Sequence, residues 1–293
     1  MRSIRYLTVL SSVFLLALVA AGQGLDATKI DQALGRTGQK TGDVYRVGFP
    51  RTDLHVVIRG IPIKTGLALG SWAAFSGSDE NAMVMGDLVL LQGEVNPVME
   101  KLRAAGFEIT AVHNHLLDET PRIMYMHYMG QGPAAKLAES LRTALSASRT
   151  PLGKPATAPP ASSSSPAWVK TVEDAIGRKG KFAGGVLAFG IPRGDAVTMG
   201  GMTLTTPQGV AESVNFQEAG EGKVATTGDF VLTAEEVNPV ISALQSHHIM
   251  VTALHSHMLT EQPRLFFMHF WATGNAESVA AGMKSALSHV ATR

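Results

Sequence analysis

His113-Asn-His115 followed by His127 recurs as His255-Ser-His257 followed by His269, displaced by 142 residues. The same displacement carries Gly35-Arg36 onto Gly177-Arg178, Pro50-Arg51 onto Pro192-Arg193 and Gly86-Asp87 onto Gly228-Asp229. It also carries Asn96-Pro97 onto Asn238-Pro239 and Pro121-Arg122 onto Pro263-Arg264. Between Gly86 and Gly130, 20 of 45 positions are identical to their partners, with no net insertion, so one fold is written twice in this chain.

At 293 residues and 45% apolar content, the chain supports two ordinary domains with separate cores. Residues 28–148 and 169–293 form the repeats, and 149–168 is a linker rich in Pro, Ala, Ser and Thr that cannot bury apolar surface. Arg2 and Arg5 before the apolar stretch Leu7 to Val19, with small residues at Val19-Ala20-Ala21, read as a leader over 1–21. About 13 apolar residues fall short of the roughly 20 that span a bilayer, so export with cleavage to the periplasm or beyond is expected, without a stable membrane anchor. The absence of cysteine excludes disulfides, thiolate ligands and acylation at a lipobox. A net charge of +1, which becomes −1 without Arg2 and Arg5, offers no basic excess for nucleic acid.

Each repeat is predicted to open with a short helix closing on glycine, Ile30 to Gly35 and Val172 to Gly177. Strands follow at Val44 to Phe49 and Leu54 to Ile58, and then at Leu88 to Leu91. Asn96 as N-cap with Pro97 at the first helical position predicts a helix with Val98, Leu102 and Ala105 on one face. Asn238-Pro239 repeats the signal. Two strands, Phe107 to Leu117 and Arg122 to Met129, precede an amphipathic helix with Leu137, Leu141 and Leu145 buried, matched by Val279, Met283 and Leu287. The fold class is α+β: an antiparallel sheet in each repeat with helices on one face.

Two residues one position apart on a strand share a face, so each His-x-His pair presents two imidazoles to one side. His127 joins His113 and His115 only if residues paired across the hairpin have numbers summing to an even value, as pairing His113 with His127 does. Three such imidazoles suit Zn²⁺, or else Cu, Ni or Fe(II), with an open position remaining. The alternative is a set of duplicated structural histidines. Contrast favours ligands, because His55, His247, His248 and His289 have no histidine partner in the other copy.

Glu94 and Glu236, at the strand-to-helix junctions, are the candidate catalytic carboxylates, as fourth ligand or as general base. A favourable charge at a helix amino end is the competing role. Asp87 and Asp229 are assigned to turns, and Glu119 and Glu261 in the hairpin loop are second choices. Arg122 and Arg264 suit ion pairs with Glu119 and Glu261, and Met124, Met126 and Met129 suit packing.

Gly-Asp before a strand, Glu-Val-Asn-Pro, His-x-His, Pro-Arg and Met-His together resemble the LppY/LpqO family of bacterial exported domains of unknown function, over nearly all of both copies. The resemblance implies an envelope protein and supplies no catalytic residues. Family members are often lipoproteins, and this chain lacks the cysteine. The reading at this point is an exported protein with a three-histidine transition-metal site in each repeat, acting as a metal-dependent hydrolase on an undetermined small molecule. A non-catalytic metal binder, or a module that binds an envelope component in a groove with Tyr125, Phe267 and Trp271, is the alternative. An intramolecular pseudo-dimer is expected, since equivalent surfaces lie in one chain.

Overall fold

The computed structural model describes residues 24–153 and 165–293; the leader expected at 1–21 and the middle of the expected linker lie outside them. The first repeat runs α1 (Ala27–Leu34), β1 (Gln39–Thr41), β2 (Val44–Pro50), β3 (Gly70–Gly77), β4 (Ala82–Leu91), α2 (Val95–Ala104), β5 (Glu108–His113), β6 (Ile123–Gly132) and α3 (Ala134–Leu145). The second runs α4 (Ala167–Ile176), β7 (Lys181–Ala183), β8 (Val186–Pro192), β9 (Ala211–Gly220), β10 (Lys223–Leu232), α5 (Ala234–Ser246), β11 (Met250–His255), β12 (Phe266–Asn275) and α6 (Ala276–Leu287). Each repeat makes a six-stranded antiparallel sheet, ordered β1-β2-β3-β4-β6-β5 and β7-β8-β9-β10-β12-β11.

The α+β class and the helices on one face follow the expectation. The opening helices end on Gly35 and Gly177, whose φ values of 67° and 81° lie in the left-handed region that glycine adopts without penalty. Four local readings change. The strand expected from Phe107 to Leu117 ends at His113, so His115, like His257 after β11, lies on the segment that follows. The strand expected at Leu54 to Ile58 shrinks to Val57–Ile58, which pairs with Glu119–Thr120 in a small separate sheet. Asn96 and Asn238 are not caps: α5 begins at Ala234, where a Thr233–Glu236 capping box supplies the first-turn contacts and leaves Pro239 inside the helix. Asp87 and Asp229 lie in mid-strand rather than in turns, on β4 and β10.

Alternation sorts the central strands into two faces. In the first repeat Val84, Leu88, Leu90, Met126 and Tyr128 meet Val98, Leu102, Leu137 and Leu141 of the helices. Their neighbours Met83, Met85, Val89 and Tyr125 point the other way and pack against the second repeat, among Val186, Val231, Phe267 and Trp271. The molecule is therefore layered helix, sheet, sheet, helix, with both sheets buried on both faces. Residues of the two repeats share the core between these sheets. Hydrogen bonds cross it, from Asn215 Nδ2 to Leu67 O at 3.1 Å and from Gln217 Nε2 to Pro62 O at 2.8 Å.

The Pro-Arg and Glu-Val-Asn-Pro motifs meet in a duplicated clamp. Arg51, with no solvent exposure, donates to Glu94 Oε2 at 2.8 Å, to Asp53 Oδ2 at 2.8 Å and to Val89 O at 2.7 Å. Arg193 bonds Glu236, Asp195 and Val231 O in the same way. Burial pushes the Glu236 carboxyl up, but Arg193 and the N–H groups of Ala291 and Thr233 outweigh it and hold the group below the usual carboxylate range. A buried pair broken on one side leaves an uncompensated charge, so Arg51→Met should lower unfolding free energy by about 3–5 kcal/mol. Adding Glu94→Met should recover part of that loss; urea titrations of both variants check it, and a single variant within about 1 kcal/mol of the parent would contradict the clamp.

Candidate metal centre

The histidines reach the buried inter-sheet face through a β-bulge. Near its start β5 pairs Glu108 with Met129 and Ile109 with Tyr128, but beyond Thr110 the register slips by one, so that Ala111 faces His127 and His113 faces Tyr125. The second repeat does the same across Thr252: Val251 faces Phe270, then Ala253 faces His269 and His255 faces Phe267. An extra residue reverses which face the rest of the strand presents. After the slip His113, His115 and His127 share one side, as do His255, His257 and His269. The pairing differs from His113 opposite His127, but the shared-face condition holds. No sequence signal marks either bulge beyond a threonine.

The two trios face each other across the interface between the repeats. Their rings interleave in three columns across the interface: Tyr125 on His115 at 3.3 Å and His115 on His269 at 3.5 Å, Phe267 on His257 and His257 on His127 at 3.6 Å each, and His113 on His255 at 3.5 Å. Asn114 Nδ2 donates to Thr252 O at 3.1 Å, and the Thr252 hydroxyl donates to His115 O at 2.5 Å, fixing one repeat's histidine segment on the other's bulge.

All six Nε2 atoms are buried without a hydrogen-bond partner. Two overlapping sets of four rings offer ligand atoms within 4.8 Å of one another: His113, His255, His257 and His269, and His113, His115, His127 and His257. Each set is one trio plus a ring from the other repeat. Ring centres within the trios stand 5.1 Å (His113–His115), 5.0 Å (His113–His127) and 4.9 Å (His255 to His257 and to His269) apart. Imidazoles bound to a tetrahedral ion at about 2.0–2.1 Å have centres about 5 Å apart, which most spacings within the trios match, whereas the cross-repeat pairs His113–His255 and His127–His257 stack at 3.5 and 3.6 Å. Nδ1 atoms of His113, His255 and His269 lie at 3.2, 3.5 and 2.8 Å from the carbonyl oxygens of Asn114, Ser256 and Gly228, which orients Nε2 toward the centre.

Burial drives every one of these imidazoles toward the neutral, ligating form, with His113 lowered to about 3 and His255 to about 4. The carboxylates nearest them are Asp87 Oδ1, 3.8 Å from His127 Nε2, and Asp229 Oδ1, 3.8 Å from His269 Nδ1; both oxygens are buried and unpartnered. Burial pushes Asp87 up to about 8, against Arg46, and pushes Asp229 well above the carboxylate range, with Glu212 and Asp87 adding to it. Glu94 and Glu236 lie elsewhere, both oxygens of each taken by the arginine clamp and by the backbone N–H groups of Leu91 and Arg149, or of Thr233 and Ala291. Glu119 and Glu261 are buried against Arg122 and Arg264, at 3.5 and 3.4 Å. A cavity of about 450 Å³ opens between the sheets, lined by His115, His127 and His257, by Asp87, Asp229 and Glu212, and by Arg46.

Fold and centre together define a two-repeat α+β protein whose histidines meet between the repeats. The family described as Domain of Unknown Function (DUF1259) matches residues 28–147 and 170–289, and the chain belongs to it, in two tandem copies. No curated protein matches the chain. Solved structures with some likeness include a trimeric bacterial microcompartment shell protein, PduB, at 12% identity and TM-score 0.18, covering 86% of this chain and 90% of that one. EtuB from Clostridium kluyveri, at 10% identity and TM-score 0.19, has the same coverage, and a crystal form of TP0453, at 13% and 0.19, covers 90% and 98%. Likenesses at these scores carry no argument about this fold or its function.

The histidine shifts set a pH dependence for the metal-free protein. Folded imidazoles stay neutral while unfolded ones take up protons near 6.5, so stability is complete above that pH and falls as pH drops below it. Urea unfolding of chelator-treated protein should show a loss on the order of several kcal/mol between pH 7.5 and pH 5, at roughly 1.4 kcal/mol per unit for each imidazole. A flat profile over that range would contradict the buried, neutral state of the cluster.

Proposed function

We propose that this chain is an exported transition-metal protein with one histidine centre assembled from both repeats and opening onto a ligand cavity. The observation that carries this is the set of six buried, unpartnered Nε2 atoms, whose rings supply two overlapping groups of four ligand atoms between the sheets. Unsatisfied buried polar atoms are costly, and a cation held by either four-ring group would satisfy those of its members. Neutral nitrogen donors without thiolates favour Zn²⁺, then Cu²⁺, Ni²⁺ or Fe²⁺. Among the described residues no helix is long and apolar enough to cross a membrane. Support for export comes from the leader-like residues 1–21 and from the resemblance to the LppY/LpqO family.

His113 and His257 belong to both four-ring sets, so each should matter more than a ring in one set. Untagged protein loaded with Zn²⁺ and dialysed should retain metal by elemental analysis. His113→Ala and His257→Ala should each lower affinity by more than about tenfold, and His115→Ala by less. Wild-type protein that retains no ion after exposure to Zn²⁺, Cu²⁺, Ni²⁺ and Fe²⁺ in turn would overturn the reading.

Hydrolysis is the second reading, favoured by the unpartnered Asp87 oxygen beside His127. A bound zinc ion would supply Lewis acidity there. Asp87 is placed to hold or accept a proton at Oδ1, the task Glu94 cannot take while Arg51 holds it. Turnover of small p-nitrophenyl esters or phosphates should fall at least about a hundredfold in Asp87→Asn with metal retained. An unchanged rate in that variant, or no turnover by wild type, would favour binding alone.

A further inference from the structure

The centre is nearly symmetric between repeats, but its cavity is not. Among the described residues lining the cavity, Arg46 carries the only cationic side chain, and its counterpart in the second repeat is Ala188. The Arg46 guanidinium lies over the Trp72 ring at 4.0 Å and donates from Nη1 to Pro207 O of the other repeat at 2.7 Å. Trp72, too, is particular to the first repeat: it pairs with Asp87 where Ser213 pairs with Asp229 in the second.

The contrast is with the two clamp arginines, since buried Arg36 is likewise held by carbonyls alone, those of Gly48 and Gly153. Arg51 and Arg193 are each neutralised by two carboxylates at 2.8 Å. Arg46, among the described residues, is in no ion pair, and its Nε and Nη2 donate no hydrogen bond to protein. Stacking and one carbonyl hold the guanidinium flat, as a fork with free donors facing the chamber that His115, His127 and His257 also line. Such a fork matches the oxygens of a carboxylate or phosphate. Asp87, Asp229 and Glu212 are the acidic side chains of the wall, so Arg46 is the one cationic side chain there that an oxyanion can meet.

We infer that Arg46, braced by Trp72, is the recognition residue for a small oxyanion-bearing ligand that occupies this cavity with its other end toward the histidine centre. The volume of about 450 Å³ limits the ligand to a small molecule. The assignment rests on the proposed metal centre for what the far end meets, but not for the anion contact itself.

The test is tryptophan fluorescence of the full chain titrated with inorganic phosphate and, separately, with acetate, each with Zn²⁺ supplied and again in chelator. Trp72 lies under the guanidinium and reports its occupancy, so Trp72→Phe identifies the signal against Trp168 and Trp271. Saturable binding of at least one anion is expected in both conditions, weakened at least about tenfold by Arg46→Met and partly kept by Arg46→Lys. Zinc content by elemental analysis should be the same in wild type and Arg46→Met. The two anions separate a carboxylate from a phosphate preference. Neither anion binding to wild type, or equal affinity in Arg46→Met, would overturn the inference. Failure of the protein to hold zinc while Arg46-dependent anion binding persists in chelator would instead remove the metal reading and leave this one standing.

Discussion

Packing of one repeat's sheet against the other is the constraint on which the remaining features depend. Each central strand is buried on both faces, and the inter-sheet face carries His127, His269, Asp87 and Asp229 beside Val89, Tyr125, Phe267 and Trp271. Polar groups on a face covered by another sheet must find partners there. Imidazoles of opposite repeats meet as stacked columns, and their Nε2 atoms converge because the pseudo-twofold relation opposes equivalent strands. A single repeat, without its partner, would leave that face open to water.

Much of this was legible in the residues. The 142-residue displacement gave the duplication, and period-two spacing pointed to a shared side for each His-x-His pair, although only His113 and His255 lie within strands. Burial of Leu137, Leu141 and Leu145 follows from their helical spacing. What stayed hidden has physical causes. The bulges at Thr110 and Thr252 shift register by one residue with no glycine or proline to announce it. Glu94 and Glu236 sit where a catalytic carboxylate could sit, but their partners Arg51 and Arg193 lie 43 residues earlier, a distance over which no local pattern speaks. Asp87 and Asp229 follow glycine, a turn signal. That glycine is needed because a Cβ at Gly86 would strike Trp72 O and Tyr128, and one at Gly228 would strike Ser213 O. The meeting of the trios between repeats is a tertiary fact that spacing within one repeat does not contain.

Duplication followed by divergence explains the form of the site. Positions that build the interface keep their chemistry in both copies: the histidines, the two aspartates and the arginine clamps. Positions that line the cavity away from the rings differ, Arg46 against Ala188, Trp72 against Ser213 and Gly70 against Ala211. A symmetric centre thereby faces an asymmetric chamber, as expected where one ligand occupies a site on a pseudo-twofold axis.

The central claim, that the histidines of both repeats make a single centre, is tested most directly by a zinc-binding isotherm of the chain in which His255, His257 and His269 are all alanine. A shared centre predicts that the intact trio His113, His115 and His127 binds at least about a hundredfold more weakly than the parent chain. Retention of a zinc site with parental affinity would show that each repeat holds its own ion and would contradict this account.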